Sequence, residues 1–318
     1  KEIALFFGDA SPLNVAVSSV FMALLCGLFL IVGKQGLMPK NKLMAFCIFF
    51  SAGISVCSMC AGGEFVIRSM TGVPMLGLIM IILGAIIVVM GIEKIKFVNS
   101  IVVPLIVLCV ALIFFKLDPQ NHTLPFNIVK PILYSGLDVL LGGVIISDEG
   151  KNMSYKEIIL TCLLITVCMF GLLYMLQTVV LADGLASSMP VLAVSERFGL
   201  KAICGVLIAG AIFTTLVSAL KITSDYVSSA FAATKKLAVL GEQKYKAVIV
   251  FGCLLIAYPI SFVGFDNIVN TMYPFISRCG IALTAIVTLK LFMKCTRRAI
   301  GYAVKARQRR LSDGNRSR

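Results

Sequence analysis

Long apolar stretches without a single charged side chain alternate with short charged segments along most of the chain. These stretches run from 10 to 33, 43 to 63, 69 to 92, 97 to 115, 158 to 182, 202 to 220 and 247 to 265. An α-helix rises about 1.5 Å per residue, so about 20 apolar residues cross a hydrocarbon core of about 30 Å. The pattern therefore predicts membrane-spanning helices.

Two further apolar regions carry a charge near their middle. Residues 131 to 147 contain Asp138, and residues 267 to 293 contain Arg278. Counted with the uncharged stretches, they give nine predicted spans and an all-α integral membrane protein. The predicted helices are 13–33, 43–63, 73–92, 97–115, 131–147, 158–182, 202–234, 247–265 and 267–293.

The composition excludes an ordinary soluble domain. Of 318 residues, 59% are hydrophobic and only 14% are charged, and the mean hydropathy is +1.00. A net charge of +14 would suggest a nucleic-acid partner in a soluble protein. Here the basic residues cluster in gaps between apolar stretches and in the last 25 residues. We therefore expect a lipid bilayer and a small solute as partners, and no nucleic acid.

The distribution of Lys and Arg predicts the orientation in the membrane. If 13–33 enters from outside, the inner loops and the tail hold 20 basic residues and the outer segments hold six. The positive-inside rule then places the C-terminus in the cytoplasm. The basic tail, 294–318, is interpreted as a topology anchor on an acidic leaflet, with specific binding of RNA or anionic lipid as the alternative.

The region 131–147 is unusual because Gly136, Gly142 and Gly143 accompany Asp138 in an apolar span. Opened backbone at membrane depth is tolerated where it lines a cavity, and half-helix ends can bind a zwitterion or a cation. The pattern thus predicts an interrupted helix and a substrate site at Tyr134, Ser135, Gly136 and Asp138. The alternative is a Gly-rich packing face with Asp138 near a helix end or hydrogen-bonded to a neighbour, including an ion pair with Arg278.

The helix that starts near 202 has one small, polar face. Its members are Ala211, Thr214, Thr215, Ser218, Asp225 and Ser229. Threonine hydroxyls and a nearby carbonyl suit a sodium ion, whereas threonine in a lipid-facing helix usually bonds to its own preceding turn. Lys221 and Asp225, spaced i and i+4, predict a structural ion pair or a gate that breaks and re-forms.

A second stripe of small polar residues, Ser51, Ser55 and Ser58, follows the span 43–63 at helical spacing. It predicts either a wall of the substrate pocket or a close helix contact. Most of the 11 cysteines, including Cys109 and Cys204, lie in apolar runs and are interpreted as small hydrophobic residues. With a single histidine, His122, we expect no metal site, no organic cofactor and no enzymatic activity.

Four segments resemble the YkvI-type membrane proteins, which are relatives of the amino acid-polyamine-cation superfamily of transporters. They are Glu2-Ile-Ala-Leu-Phe-Phe-Gly, Gly91-Ile-Glu-Lys-Ile-Lys-Phe-Val-Asn-Ser-Ile-Val-Val-Pro-Leu, Leu-Tyr-Ser-Gly-Leu-Asp and Ala211-Ile-Phe-Thr-Thr. The resemblance implies a LeuT-like fold, in which ten helices form two inverted repeats of five. It also implies a bacterial cell membrane as the location.

On that fold the nine spans become helices two to ten, and residues 1 to 9 become the outer half of helix one. The inner half, with its unwound turn, is then expected to be absent from this chain. A single transmembrane domain, 1–293, would comprise repeat one at 1–116 and repeat two at 130–293. The resemblance assigns Ala211, Thr214 and Thr215 to a sodium site. It leaves open what charge the substrate carries at Asp138 and whether Asp138 couples transport to protons.

These observations predict a secondary active transporter of amino acids or related small amine-containing solutes. Coupling to Na+ or H+ would drive alternating access, with no cofactor beyond a coupling ion. Two alternatives use the same fold. One is a sensor that binds an amino acid without transporting it, and the other is an inactive truncated carrier.

Overall fold

The computed structural model describes residues 2–37, 42–91, 93–117, 124–231 and 242–316. Within these ranges the chain forms eleven α-helices and no β-strand. In chain order they are α1 (Glu2–Phe7), α2 (Pro12–Lys34), α3 (Lys42–Thr71), α4 (Gly77–Met90), α5 (Glu93–Lys116), α6 (Val129–Gly150), α7 (Tyr155–Ala182), α8 (Pro190–Arg197), α9 (Lys201–Phe231), α10 (Glu242–Ser261) and α11 (Phe265–Arg316).

Each of the nine predicted spans coincides with one of these helices, namely α2 to α7 and α9 to α11. The ends of the predicted spans 73–92 and 202–234 lie outside the described residues. The all-α prediction is confirmed. The short helix α8 was not predicted, because eight residues of mixed polarity give too little periodic signal. α11 also continues past 293 through most of the basic tail.

Six helical segments among the described residues are long and apolar enough to cross a membrane. They are Pro12–Lys34, Ala45–Thr71, Tyr155–Ala182, Lys201–Ser228, Lys244–Ser261 and Phe265–Thr296. The outward faces carry large apolar side chains, such as Leu163 at 61% exposure, Val167 at 73% and Leu255 at 77%. Contiguous exposed apolar surface of this kind marks contact with lipid rather than water. The helices therefore indicate a membrane protein.

The start of α6 is fastened to the start of α2. The Ser11 amide donates to the Pro125 carbonyl at 3.0 Å, and the Ser11 hydroxyl caps α2 by accepting from the Leu13 amide. The Asn14 side chain bonds in both directions with the backbone of Asn127, and Lys130 forms an ion pair with Asp9. These contacts fix the register between α2 and α6 at one end of the bundle.

α6 is a single continuous helix, so the prediction of an interruption in 131–147 was wrong. Its glycines serve helix packing instead. A Cβ atom on Gly136 would overlap the backbone of α11 at Ser277, and one on Gly280 would overlap the Gly136 carbonyl. Near the other end of α6, a Cβ atom on Gly150 would overlap the backbone of Leu30 in α2. Close backbone approach through small residues is the usual basis of tight packing between helices in membranes.

Two helix groups share the core. In the first, buried side chains of α1, α2, α6, α7 and α11 form one cluster that includes Phe7, Phe29 and Leu140. In the second, α3 packs along α9, and α4 and α10 close over them around Leu216 and Leu220. α3 of the second group contacts both α6 and α11 of the first group, so the two groups meet along α3.

Cys109 of α5 and Cys204 of α9 form a disulfide, 95 residues apart in sequence. The interpretation of these two cysteines as small hydrophobic residues was therefore incomplete, although both are buried in an apolar cluster with Ile113 and Val194. The pairing could not be read from the sequence, since both lie in separate apolar runs without a recognisable spacing.

The contact between Gly136 and Gly280 predicts a large effect of a single methyl group. Gly280→Ala should lower the free energy of unfolding by about 1–3 kcal/mol, because α6 and α11 must separate to accept the Cβ atom. Gly171→Ala in α7 is the matched control, since a Cβ atom there meets no other atom within 4 Å. The measurement is the melting temperature of the detergent-solubilised protein. Equal melting temperatures for the two variants would contradict the packing assignment.

Candidate functional site

Five acidic and hydroxyl-bearing side chains from four helices meet inside the bundle. We call them the acidic cluster, and they are Glu2 of α1, Ser58 of α3, Tyr134 and Asp138 of α6, and Tyr273 of α11. Ser58, Tyr134 and Tyr273 are almost completely buried. Two of the members, Tyr134 and Asp138, were predicted as substrate ligands, and Ser58 was predicted as part of a pocket wall.

α6 presents Tyr134 and Asp138 on one face because they are spaced i and i+4. The rings of Phe6 and Phe7 contact Tyr134 edge-on, with centroid distances of 5.8 and 5.0 Å. Such edge contacts are favourable because the positive ring edge meets the negative ring face. The short helix α1 is thereby held against α6, which brings Glu2 towards Asp138.

The end of α1 is held by a buried side chain from α7. Gln177 is 2% exposed, and its Nε2 atom donates to the carbonyl oxygens of Phe7 at 3.0 Å and Ala10 at 2.6 Å. The last carbonyls of a helix have no partner within the helix, so this amide satisfies one of them. Gln177 therefore helps to position Glu2 without touching it.

Hydroxyl groups connect the acidic cluster to α3. The hydroxyls of Ser58 and Tyr273 share a hydrogen bond of 2.8 Å. The Tyr273 side chain also lies close to that of Glu2. A chain of polar groups therefore runs from α3 through α11 to the Glu2 carboxylate.

Asp138 lacks the partners that a buried carboxylate needs. Its Oδ2 atom is buried and accepts no hydrogen bond. Its strongest charged neighbour is another acid, Glu2. Arg278, considered as its ion-pair partner, is exposed, and no ion pair joins the two. The ion pairs found in the described ranges involve other acids, so no described cation balances the acidic cluster.

This arrangement can bind a cation. Two carboxylates and three hydroxyls supply oxygen acceptors in a site of low dielectric, where attraction for a positive group is strong. A protonated amine has three N–H donors, and the free Oδ2 atom of Asp138 can accept one of them. Across the described part of the chain, no group of three or more His, Cys, Asp or Glu side chains could hold a metal ion.

The remaining substrate candidates are buried but engaged in local bonds. The Ser135 hydroxyl donates to the Pro131 carbonyl at 2.8 Å, and the Ser51 hydroxyl donates to the Ile48 carbonyl at 2.9 Å. Gly136 packs against α11, and Ser55 is 3% exposed within α3. These residues line the interior near the acidic cluster without adding a charged ligand to it.

The predicted sodium ligands do not face one common point. Thr214 is buried, and its hydroxyl donates to the Ala211 carbonyl at 3.0 Å. Thr215 is exposed on the helix surface. Thr214 therefore adopts the local bonding that threonines commonly make inside helices, and its oxygen lone pairs are still able to accept.

Lys221 and Asp225 lie as the sequence spacing predicts, with Nζ and Oδ2 3.7 Å apart. Their side chains are 44% and 56% exposed. An exposed pair at i and i+4 contributes at most about 0.5 kcal/mol to stability. Such a pair can open and close readily, and its role as a gate stays a prediction.

Three contributors to the site were missed, namely Glu2, Gln177 and Tyr273. Gln177 carried a signal, since a lone glutamine in the middle of the apolar run 158–182 needs a buried partner. Tyr273 and Glu2 carried none, because their contact spans 271 positions of sequence.

The bond between Ser58 and Tyr273 predicts measurable coupling. Ser58→Ala and Tyr273→Phe should each lower the free energy of unfolding by about 1–3 kcal/mol, because each leaves the buried hydroxyl of the other residue without its partner. The loss of unfolding free energy in the double variant should be about 1 kcal/mol smaller than the sum of the losses in the two single variants. Reversible unfolding in detergent micelles measures this double-mutant cycle. Strict additivity would mean that the two hydroxyls do not interact.

Two comparisons with known proteins found no relative of this chain. No protein-family model matches the chain, and no curated protein is similar to it at a significant level. The resemblance to YkvI-type proteins therefore stays a prediction.

Proposed function

We propose that this protein is a secondary active transporter of amino acids or related small amine-containing solutes, coupled to Na+ or H+. The observation that carries the proposal is the acidic cluster, above all the buried Oδ2 atom of Asp138 without a hydrogen-bond partner. A carboxylate inside a membrane protein is costly, and such groups typically mark substrate or ion pathways. The missing partner is then the amino group of the solute.

The proposed architecture is the LeuT-like arrangement of two inverted repeats. In it, α1 to α5 correspond in order to α6, α7, α9, α10 and α11. In that arrangement each complete repeat has five spans, of which α1 would be the outer half of the first, and an odd number gives the second repeat the opposite orientation in the membrane. Equivalent helices should then pair in equivalent ways.

Helix packing supports this correspondence. α3 packs along α9, and α2 packs along α7. Because α3 corresponds to α9 and α2 to α7, exchanging the two repeats leaves each of these pairs unchanged. Other contacts occur in exchangeable sets, as expected for a repeat. The contact of α3 with α4 matches that of α9 with α10. The contact of α4 with α9 matches that of α10 with α3, and the contact of α5 with α9 matches that of α11 with α3.

The acidic cluster supports recognition of the amine end of the solute. The two acids attract a cation, and the Tyr134 and Tyr273 hydroxyls offer neutral acceptors beside them. No described Lys or Arg belongs to the cluster, so the described residues provide no direct ion-pair partner for a solute carboxylate. Amines and amino acids that engage mainly through their amino group fit these ligands best.

Proton coupling has more support than sodium coupling. Asp138 and Glu2 can each take up a proton, and two neighbouring carboxylates rarely hold two negative charges without a cation. Thr215, in contrast, is exposed, and the Thr214 hydroxyl donates to its own helix. A proton on Glu2 would then leave Asp138 charged for the solute amine, so that proton and solute bind to the acidic cluster together.

The alternative function is a sensor that binds the solute without transporting it. One observation favours it, since α6 is continuous and its Gly136 is packed against α11. Transport requires the site to open to each side in turn, whereas binding alone needs only one opening.

Transport is tested with the protein in proteoliposomes and a pool of labelled amino acids and small amines. We expect accumulation above that of empty liposomes when an inward H+ or Na+ gradient is imposed. Asp138→Asn should reduce uptake at least tenfold, because a neutral amide lacks the charge that binds the amine. Asp148→Asn is the matched control, since Asp148 lies on the same helix but is 65% exposed and paired with Lys151.

Three outcomes of this assay are decisive. Binding without accumulation would replace the transporter with the sensor. Equal uptake by the Asp138 and Asp148 variants would remove the acidic cluster from the mechanism. Neither binding nor uptake of any solute in the pool would overturn both functions.

The coupling ion is tested separately through ligand-induced stabilisation. A ligand that binds only the folded protein raises its stability by mass action. We expect the melting temperature in Na+ to equal that in K+, both for the wild type and for Thr214→Val, because Thr215 does not face a buried site. A sodium-specific increase that Thr214→Val abolishes would restore the sodium site at Ala211, Thr214 and Thr215.

A further inference from the structure

An open groove runs along the outside of the bundle between α3, α10 and α11. Its volume is about 840 Å³, within the range of cavities that hold small organic molecules. Phe50, Ile256 and Met272 line it, and they are 39%, 69% and 40% exposed. The groove is therefore open on the surface that meets the bilayer.

The wall of the groove is almost entirely apolar. The Tyr245 hydroxyl donates to the Ser228 carbonyl, and the Asn267 side-chain amide donates to the Val263 carbonyl. These two polar groups of the lining are thus engaged with backbone. Gly53 of α3 and Gly252 of α10 both line the groove, and a Cβ atom on either would meet no other atom within 4 Å, so the groove is open beside these two helices.

A single cation follows the groove along α11. Thr271 lines the groove, and Phe275 and Arg278 follow it at intervals of four and three residues, on the same face of the helix. Phe275 in turn contacts Phe50 of the groove wall, with ring centroids 6.0 Å apart. Arg278 is exposed and forms no ion pair or hydrogen bond with any described residue.

The position of Arg278 makes this exposure unusual. It lies within the apolar segment Phe265–Thr296, roughly 20 Å from one end and 27 Å from the other at the rise of an α-helix. An arginine that faces lipid at such a position is unfavourable, and its long side chain can extend towards the nearer interface, where an anion can neutralise it. Basic sites between transmembrane helices commonly bind anionic lipid headgroups.

We propose that the groove is a binding site for an anionic phospholipid. One acyl chain lies against the apolar wall between α3 and α10, and the phosphate pairs with Arg278. A zwitterionic lipid has the same chains but also a cationic group that Arg278 repels, so the site selects for anionic lipid. This site is separate from the acidic cluster and does not depend on the proposed transport function.

The test uses the absence of tryptophan from the chain, which makes one introduced tryptophan the only indole. Ile256→Trp places it in the groove, and Leu255→Trp is the matched control on the lipid-facing side of the same turn. Both variants are reconstituted in vesicles of phosphatidylcholine and phosphatidylglycerol in which only the phosphatidylglycerol chains are brominated. Bromine quenches indole fluorescence only at close range, so quenching reports the local lipid.

We expect phosphatidylglycerol to be enriched roughly fivefold at Ile256→Trp relative to Leu255→Trp, as one arginine beside a lipid phosphate predicts. Adding Arg278→Gln should return the enrichment to the control value, whereas Arg278→Lys should retain it. Equal quenching at the two positions would overturn the proposal. So would an enrichment that Arg278→Gln leaves unchanged.

A second pair of variants tests the groove itself. Gly252→Leu, added to Ile256→Trp, should fill the groove and remove the enrichment, because a side chain at 252 meets open space rather than a neighbouring helix. Gly171→Leu in α7 also meets open space but lies outside the groove, and it should leave the enrichment unchanged. Enrichment that survives Gly252→Leu would show that the lipid does not lie in the groove.

Discussion

The close approach of α6 to α11 at Gly136 and Gly280 is the constraint on which the interior of this protein depends. Backbone meets backbone at this point, so α6 is held deep in the bundle. Asp138 lies about half a turn from Gly136, and the same contact therefore fixes a carboxylate among apolar helices. Tyr273 lies two helical turns before Gly280 on α11, so the position of its hydroxyl also depends on this contact. Packing and chemistry are thus set by one pair of glycines.

The sequence was sufficient to predict the helices because their signal is local. Apolar stretches, seven of them free of charge, mark the position of each predicted span, and each of the nine corresponds to a helix of the structure. Residues that bond within their own helix also followed prediction, as Lys221 and Asp225 did. The tail was expected as a basic segment, but its helical backbone was not.

The contacts between helices could not be predicted in the same way. The glycines of 131–147 fit both an opened backbone and a packing face, and only the position of α11 distinguishes the two. Glu2 and Tyr273 join the acidic cluster across most of the chain, where no spacing rule applies. The same is true of Cys109 and Cys204, whose apolar surroundings gave no sign of a partner. Asp138 was identified because a charge in an apolar span is itself a local anomaly.

The disulfide between Cys109 and Cys204 has a mechanical consequence. It joins α5 to α9, one helix from each proposed half of the molecule, at the ends near Lys116 and Lys201. A covalent bond there prevents the two helices from sliding past each other at that level. Relative movement of α5 and α9 is therefore smallest at this point and can grow towards the far ends of the two helices. In the oxidised protein the two helices share a fixed pivot, and reduction would leave only non-covalent contacts between them.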